Sequence, residues 1–151
     1  MPIYAYAILA AGWVGWMTRF LIVQRNRERA QRVDRRARWG ILLEVIAFAL
    51  LWQSPFWARP LPLWRLGLSV LFLMLATFLS WTAVEALGRQ WRIDAGLTAD
   101  HQLVTTGPYG LVRHPIYTSM LCILLGTGFM ITPWRMLLVA SLVFIVAWKS
   151  G

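Results

Sequence analysis

The sequence predicts an all-α integral membrane protein, a bundle of about five transmembrane helices forming a single domain over residues 1–151. Hydrophobic residues make up 59% of the chain and charged residues only 14%, and the mean hydropathy is +0.59. A water-soluble domain of this size could not bury so much apolar surface. The many tryptophan, tyrosine and phenylalanine residues also fit the aromatic belts that membrane proteins place at the two interfaces.

Five apolar runs define the predicted spans. A helix needs roughly 20 residues to cross a hydrocarbon core of about 30 Å. The first run is long enough, and it leads into arginines rather than into a cleavage site, so we expect it to be retained rather than removed as a signal peptide. The last two runs are shorter, and the Thr132-Pro133 turn between them predicts a helical hairpin. The predicted spans are 3–23, 39–57, 66–87, 115–131 and 134–149.

The basic residues predict the orientation. If the first helix exits into the cytoplasm, the connectors 24–38 and 88–113 are cytoplasmic, and eleven of the 15 basic residues lie on that side against three on the other. Cytoplasmic loops of membrane proteins carry such an excess. We therefore expect a bacterial inner-membrane protein whose net charge of +9 reflects topology and contact with anionic membrane lipids. Nucleic-acid binding is not expected, because the chain has no soluble basic domain.

Two acidic residues, Glu44 and Glu85, lie inside predicted spans, both toward the cytoplasmic end. Ionisable groups within a membrane are costly and usually face a partner or a cavity. Two interpretations stay open: a snorkelling or ion-paired structural role, or lining of the cytoplasmic mouth of a substrate cavity. No metal site is expected from the single cysteine, Cys122, which sits in an apolar run and is interpreted as a packing residue.

The stretch 105–120 is the one place where turn formers, aromatic rings, an arginine and a histidine lie beside an apolar helix. Gly107 and Pro108 predict a turn. Pro115 suits the first position of a helix, where its missing N–H costs nothing. The amides of such a helix start give a partial positive charge that can bind a carboxylate or a phosphate.

Three side chains of this stretch extend the prediction. Arg113 can bind a carboxylate through two parallel hydrogen bonds, and Tyr109 and Tyr117 offer flat faces to an adenine ring or a sulfonium cation. The residues therefore predict a site for a small anionic ligand that bears an aromatic ring. An ordinary interfacial loop anchored by tyrosine and arginine is the alternative. The Gly126-Thr127-Gly128 sequence indicates close helix packing rather than a nucleotide-binding loop.

A resemblance to a known family is carried by three segments, GRQW at 88–91, LVTTGPY at 103–109 and RHPIY at 113–117. Together they resemble the isoprenylcysteine carboxyl methyltransferases and their bacterial and archaeal relatives, whose small members also have five spans. Related membrane enzymes, including phospholipid N-methyltransferases and sterol reductases, carry similar Arg-His-Pro-x-Tyr motifs. The motif therefore predicts the superfamily better than the substrate.

The resemblance implies S-adenosyl-L-methionine as the cofactor. By the resemblance, three residues would form a cofactor loop and four would line the cofactor pocket. Two of the lining residues, Arg113 and His114, would also act in catalysis. The loop residues are Gly107, Pro108 and Tyr109, and the lining residues are Arg113, His114, Pro115 and Tyr117.

Two departures from the family pattern stand out. Ser119 occupies a position where the family usually has glycine, and it should still permit close approach. The family's fifth span is usually followed by an acidic pair and a short helix that help close the pocket, whereas this chain stops after Trp148-Lys149-Ser150-Gly151. We therefore expect a truncated form of such an enzyme.

The acceptor decides the chemistry. Methyl transfer from a sulfonium is an in-line displacement, so the enzyme mainly positions donor and acceptor. A carboxylate, ionised above a pKa of about 4, needs only a cation to orient it, and Arg113, Arg89 or Arg92 could supply one. An amine must first lose a proton, which would make His114 the base. The expected function is methylation of the carboxylate of a lipophilic, isoprenoid-type or prenylated substrate that enters from the bilayer.

Other functions stay open at this stage. Phospholipid N-methylation and thiol S-methylation use the same cofactor. A sterol-type reductase would bind NADPH and would need more than five spans. A catalytically silent bundle, in which the motif serves only to start a helix, would bind neither cofactor.

Overall fold

A computed structural model of the chain describes residues 1–24, 35–52, 55, 60–87 and 107–150, with side chains for all of these except 23–24, 35–40 and 150. This part of the chain contains five α-helices, one short 3-10 helix and no strand. The helices are α1 (Ile3–Gln24), α2 (Arg35–Leu51), α3 (Leu63–Leu87), α4 (Pro115–Ile131) and α5 (Trp134–Ser150), and the 3-10 helix spans Gly107–Gly110.

This architecture confirms the predicted all-α membrane bundle. Among the described helices, two are long and apolar enough by themselves to cross a membrane, α1 over Ile3–Ile22 and α3 over its full length. Helix α4 and the Ile41–Leu51 part of α2 are shorter apolar helices. At about 1.5 Å per residue, the 17 residues of α4 extend about 25 Å.

Consecutive helices run in opposite directions, as the contacts at their ends show. The start of α3 meets the end of α4, because the Arg65 guanidinium donates hydrogen bonds to the carbonyls of Gly128 and Thr132. The end of α5 meets the start of α4, where Trp148 packs on His114. Because the end of α5 returns to the start of α4, these two helices form the predicted hairpin. We call the two ends of the bundle the Thr132 end and the His114 end.

The predicted second span, 39–57, is wrong at its end. Helix α2 ends at Leu51, where the amide of Trp52 donates to the carbonyl of Ala49 in a tightened last turn. A helix that continued through Pro55 would place the proline ring against the carbonyl of Leu51 and would lose a hydrogen bond. Proline therefore ends this helix earlier than the apolar run suggested.

Helix α3 begins earlier than predicted, at Leu63 instead of Leu66. The carbonyl of Pro62 accepts hydrogen bonds from the amides of Arg65 and Leu66, at 3.0 and 3.2 Å. Proline is well suited to the position just before a helix because its own N–H would have no partner there. Helix α2 also begins earlier than predicted, at Arg35 instead of Trp39. The remaining predicted helix boundaries lie within one residue of the observed ones.

Helix α4 is the centre of the bundle, since it contacts each of the other four helices. Its small residues allow this. A Cβ added at Gly126 would come within 2.9 Å of the Leu73 side chain and 3.1 Å of the Leu73 backbone nitrogen. The buried Ser69 hydroxyl donates to the carbonyl of Gly126 at 2.6 Å. The glycines of α4 therefore serve close helix packing, as predicted from the sequence.

Two tryptophans of α1 lie inside the bundle rather than in an interfacial belt. The Trp13 indole donates to the Thr127 hydroxyl at 3.1 Å, and the Trp16 indole donates to the Ser119 hydroxyl at 3.2 Å. Ser119 is fully buried and donates in turn to the carbonyl of Ile116. The Ser119 hydroxyl thus gives a buried tryptophan its hydrogen-bond acceptor.

We predict that Gly126→Ala destabilises the bundle by about 1–3 kcal/mol, because the new methyl group meets the Leu73 backbone, which cannot rotate away. Gly67→Ala is the matched control. It lies in α3, and an added Cβ would meet nothing within 4 Å. Thermal unfolding in detergent should show a lower midpoint for Gly126→Ala and an equal or higher one for Gly67→Ala. Equal midpoints for the two variants would contradict the packing described here.

Candidate cofactor site at the His114 end

Helix α4 begins as the sequence predicts. Pro115 is its first residue and is buried, and His114 occupies the N-cap position without a side-chain cap hydrogen bond. The first backbone hydrogen bond runs from the amide of Thr118 to the carbonyl of His114, at 3.0 Å. The amides of Ile116 and Tyr117 consequently have no partner within the helix. The imidazole of His114 is not used as a cap and remains exposed.

The predicted turn is the 3-10 helix Gly107–Gly110. Gly107 has a φ of +62°, which non-glycine residues rarely adopt. The carbonyl of Pro108 accepts hydrogen bonds from the amides of Leu111 and Val112, at 3.2 and 2.9 Å. The turn packs on α3, and a Cβ at position 107 would lie 3.5 Å from that of Ala86. This contact fixes the loop just before Arg113 against the bundle.

Three aromatic rings form the centre of the site. Tyr117 and Trp148 are parallel to within 5°, with centroids 6.2 Å apart. His114 meets both rings edge-on, at 6.3 Å from Tyr117 and 6.0 Å from Trp148. The start of α4 and the end of α5 thus present flat faces together. Such faces bind planar rings by stacking and attract cations within about 6 Å.

Helix α2 adds a carboxylate to these rings. Glu44 is half-buried and interacts electrostatically with Tyr117. The predicted role of Glu44 in lining a substrate cavity stays a prediction. A carboxylate beside aromatic faces favours a cationic group, such as a sulfonium or an ammonium, in the same place.

Arg113 supplies the opposite charge. It is exposed, and it has no hydrogen-bond or salt-bridge partner among the residues that the structure describes. It directly precedes the helix start, so its guanidinium and the first-turn amides of α4 can bind one carboxylate together. The site therefore combines a place for an anion, a place for a cation and flat aromatic faces.

The sequence analysis named Tyr109 and Tyr117 as the two flat faces of the site. Tyr109 lies in the 3-10 helix, whereas the ring stacked on Tyr117 is that of Trp148. Burial raises the pKa of Tyr109 to about 12. Its phenol is therefore neutral at physiological pH and can only donate or accept a hydrogen bond, not act as a base.

The remaining predicted residues divide into two groups. Glu85 lies exposed in the last turn of α3 and forms no salt bridge with other residues of the described chain. Arg89 and Arg92, the predicted acceptor-orienting arginines, lie outside the described residues, as do Thr105 and Thr106 of the motif. Their roles stay predictions.

Trp148 is the site residue that sequence reasoning missed. The alternating helix directions implied that the end of the fifth span returns to the start of the fourth, which was the available signal. The chain has ten tryptophans, however, and nothing in the sequence separates one that faces a site from one that faces lipid.

A family model for phospholipid methyltransferases matches residues 64–150, which is more than half of the chain. The chain belongs to the phospholipid methyltransferase family. No curated protein and no solved structure matches the chain. The matched segment covers α3, the 3-10 helix, α4 and α5, and so includes Arg113, the three-ring cluster and the turn at Gly107.

Membership in the phospholipid methyltransferase family confirms the superfamily that the motif predicted and makes the protein a membrane methyltransferase. The finer function, methylation of a carboxylate, stays a prediction. Glu44 on α2 lies outside the matched segment.

The raised pKa of Tyr109 leads to a spectroscopic prediction. A phenol with an ordinary pKa ionises around 10, whereas Tyr109 should ionise only as the pH approaches 12. The pH-dependent phenolate absorbance of the wild type minus that of Tyr109→Phe should therefore develop between about pH 11 and 13. A difference that is complete by about pH 10.5 would show that the phenol is solvated, not buried against α3.

Proposed function

We propose that the protein is an S-adenosyl-L-methionine-dependent methyltransferase that acts on a lipid acceptor at the cytoplasmic face of the membrane. The observation that carries this proposal is the three-ring cluster of His114, Tyr117 and Trp148. Arg113 precedes it directly in the sequence, and Glu44 of α2 interacts electrostatically with Tyr117. The positive-inside distribution of the basic residues supports the cytoplasmic side.

The residues present fit the three chemical parts of this cofactor. Its carboxylate fits Arg113 and the first-turn amides of α4, because both favour an anion. Its adenine fits the flat faces of Tyr117 and Trp148. Its sulfonium fits the same aromatic faces beside the Glu44 carboxylate. The exposed position of Arg113 at the His114 end gives a water-soluble molecule access.

When bound, the cofactor supplies an electrophilic methyl group. The residues of this chain then act mainly by positioning the methyl donor and the acceptor. Arg113 and the helix start hold one end of the ligand, and the parallel rings restrict its rotation. Holding two reactants in an aligned geometry can contribute about 7–11 kcal/mol to catalysis.

The acceptor that these charges and the family match support best is the amine of a phospholipid headgroup. Glu44 favours an ammonium group beside the rings, and it would oppose a second carboxylate there. An ammonium nitrogen must lose its proton before it can attack, and the exposed His114 imidazole lies against the same rings. In this proposal the His114 imidazole takes the proton from the headgroup nitrogen.

Methylation of a carboxylate on an isoprenoid-type or prenylated substrate, the function expected from the motif, is the second candidate. The observation in its favour is the exposed guanidinium of Arg113, which has no salt-bridge partner among the described residues. A carboxylate acceptor needs no base, so His114 would then serve only as an aromatic contact.

The chemistry of the product separates these functions. Purified protein in vesicles is given methyl-labelled S-adenosyl-L-methionine together with phosphatidylethanolamine or with a farnesylated cysteine that has a free carboxylate. N-methyl groups survive treatment with base, whereas methyl esters release methanol. We expect base-stable label in the phospholipid, and we expect His114→Ala to lower the rate about 10²- to 10⁴-fold.

Two variants serve as controls for this assay. Arg113→Ala should reduce transfer, and Arg135→Ala, which changes an exposed arginine at the Thr132 end, should not. Base-labile label found only with the farnesylated cysteine would favour the second candidate. Absence of transfer to either acceptor, together with binding of NADPH instead of S-adenosyl-L-methionine, would overturn the proposal in favour of a reductase.

A further inference from the structure

A second feature of the bundle lies away from the rings, on the surface between α1 and α3. A groove of about 580 Å³ runs between these helices. Its lining is almost wholly apolar and comes from both helices. The lining includes Ala11 and Gly15 of α1 and extends from Val70 to Trp81 on α3.

The groove has the length of one lipid leaflet. Its α3 wall extends over residues 70–81, and eleven steps of about 1.5 Å make this roughly 16 Å. Half of a hydrocarbon core of about 30 Å is about 15 Å. The groove therefore matches one extended acyl chain that enters from one side of the membrane.

A charged residue marks the end of this groove. The guanidinium carbon of Arg19 lies 5.8 Å from the ring centroid of Trp81, the last lining residue. The Arg19 Nε is buried and has no hydrogen-bond partner among the described residues. The Trp81 indole is already engaged, since it donates to the carbonyl of Gly15 at 2.8 Å. Arg19 thus places a guanidinium with one unmet hydrogen bond beside the Trp81 end of an apolar groove.

We propose that this groove binds one phospholipid, with an acyl chain between α1 and α3 and the phosphodiester on Arg19. An arginine within a membrane helix is costly unless it is paired, and guanidinium binds phosphate oxygens through charge-assisted hydrogen bonds. The apolar lining of the groove favours a ligand with an acyl chain over a soluble phosphate, because most of the contact area would be hydrocarbon. Glu85, the acidic residue of α3, is exposed and forms no salt bridge with Arg19.

This lipid site is separate from the proposed transfer site. Helix α4 lies between them: the buried Ser119 faces Trp16 of α1, whereas Tyr117 faces Trp148 of α5. The bound phospholipid would hold α1 against α3 rather than present a headgroup to the rings. The inference therefore stands independently of the proposed function.

The test uses delipidated protein in dodecyl maltoside, titrated with dioleoylphosphatidylglycerol and followed by native mass spectrometry. We expect one saturable lipid per chain, with affinity lowered roughly tenfold or more in Arg19→Gln. Ala11→Phe, which fills the groove from an exposed position, should lower it similarly. Dioleoylglycerol, which lacks the phosphate, and glycerophosphoglycerol, which lacks the chains, should bind at least about tenfold more weakly.

Two matched variants control for general effects. Val14→Phe adds the same ring to an exposed position of α1 outside the groove, and Arg135→Gln removes a guanidinium that also stacks on a tryptophan, Trp134. Both should keep wild-type affinity. Unchanged lipid affinity in Arg19→Gln or in Ala11→Phe would overturn the proposal, as would equal binding of glycerophosphoglycerol. A lower affinity in all four variants would show nonspecific loss and would also overturn it.

Discussion

Close contact between α4 and its neighbours is the constraint on which the rest of the structure depends. In hydrocarbon, helices gain little from burying apolar surface, so they associate through small residues and internal hydrogen bonds. Gly126 lets α3 approach until the Leu73 side chain would touch an added Cβ. Ser119 and Thr127 accept the two indole hydrogen bonds of α1. These contacts fix both the position and the rotation of α4.

The fixed rotation of α4 builds the site at its start. With Ser119 turned toward α1, Tyr117 is turned toward α5, and the hairpin returns Trp148 to its level. Helix α2 is tied to α4 by the Thr132 hydroxyl, which donates to the carbonyl of Leu51 at 2.8 Å. That bond at the Thr132 end helps to fix the position of α2 along α4, and Glu44 of α2 interacts electrostatically with Tyr117. The positions of α2, α4 and α5 at the His114 end thus depend largely on contacts made further along the bundle.

The sequence was most informative where a residue has few conformational options. Pro115 and Gly107 predicted the helix start and the turn, because proline fixes its own φ and glycine tolerates a positive one. Apolar run length was a poorer guide, since Pro55 ends α2 inside the predicted span. Trp148 could not be chosen in advance, because its role depends on a neighbour in another helix. Trp13 and Trp16 show the same limit: indoles suited to an interface instead serve buried hydroxyls.

The most direct test of the account is a calorimetric titration of the detergent-solubilised protein with S-adenosylhomocysteine, comparing Trp148→Ala with Trp134→Ala. Trp134 is an exposed tryptophan at the opposite end of the same helix. If the paired rings bind the adenine, Trp148→Ala should weaken binding by about 1–3 kcal/mol, the usual contribution of base–aromatic stacking, and Trp134→Ala should leave it unchanged. Equal affinity in the two variants would contradict the placement of the cofactor between α4 and α5.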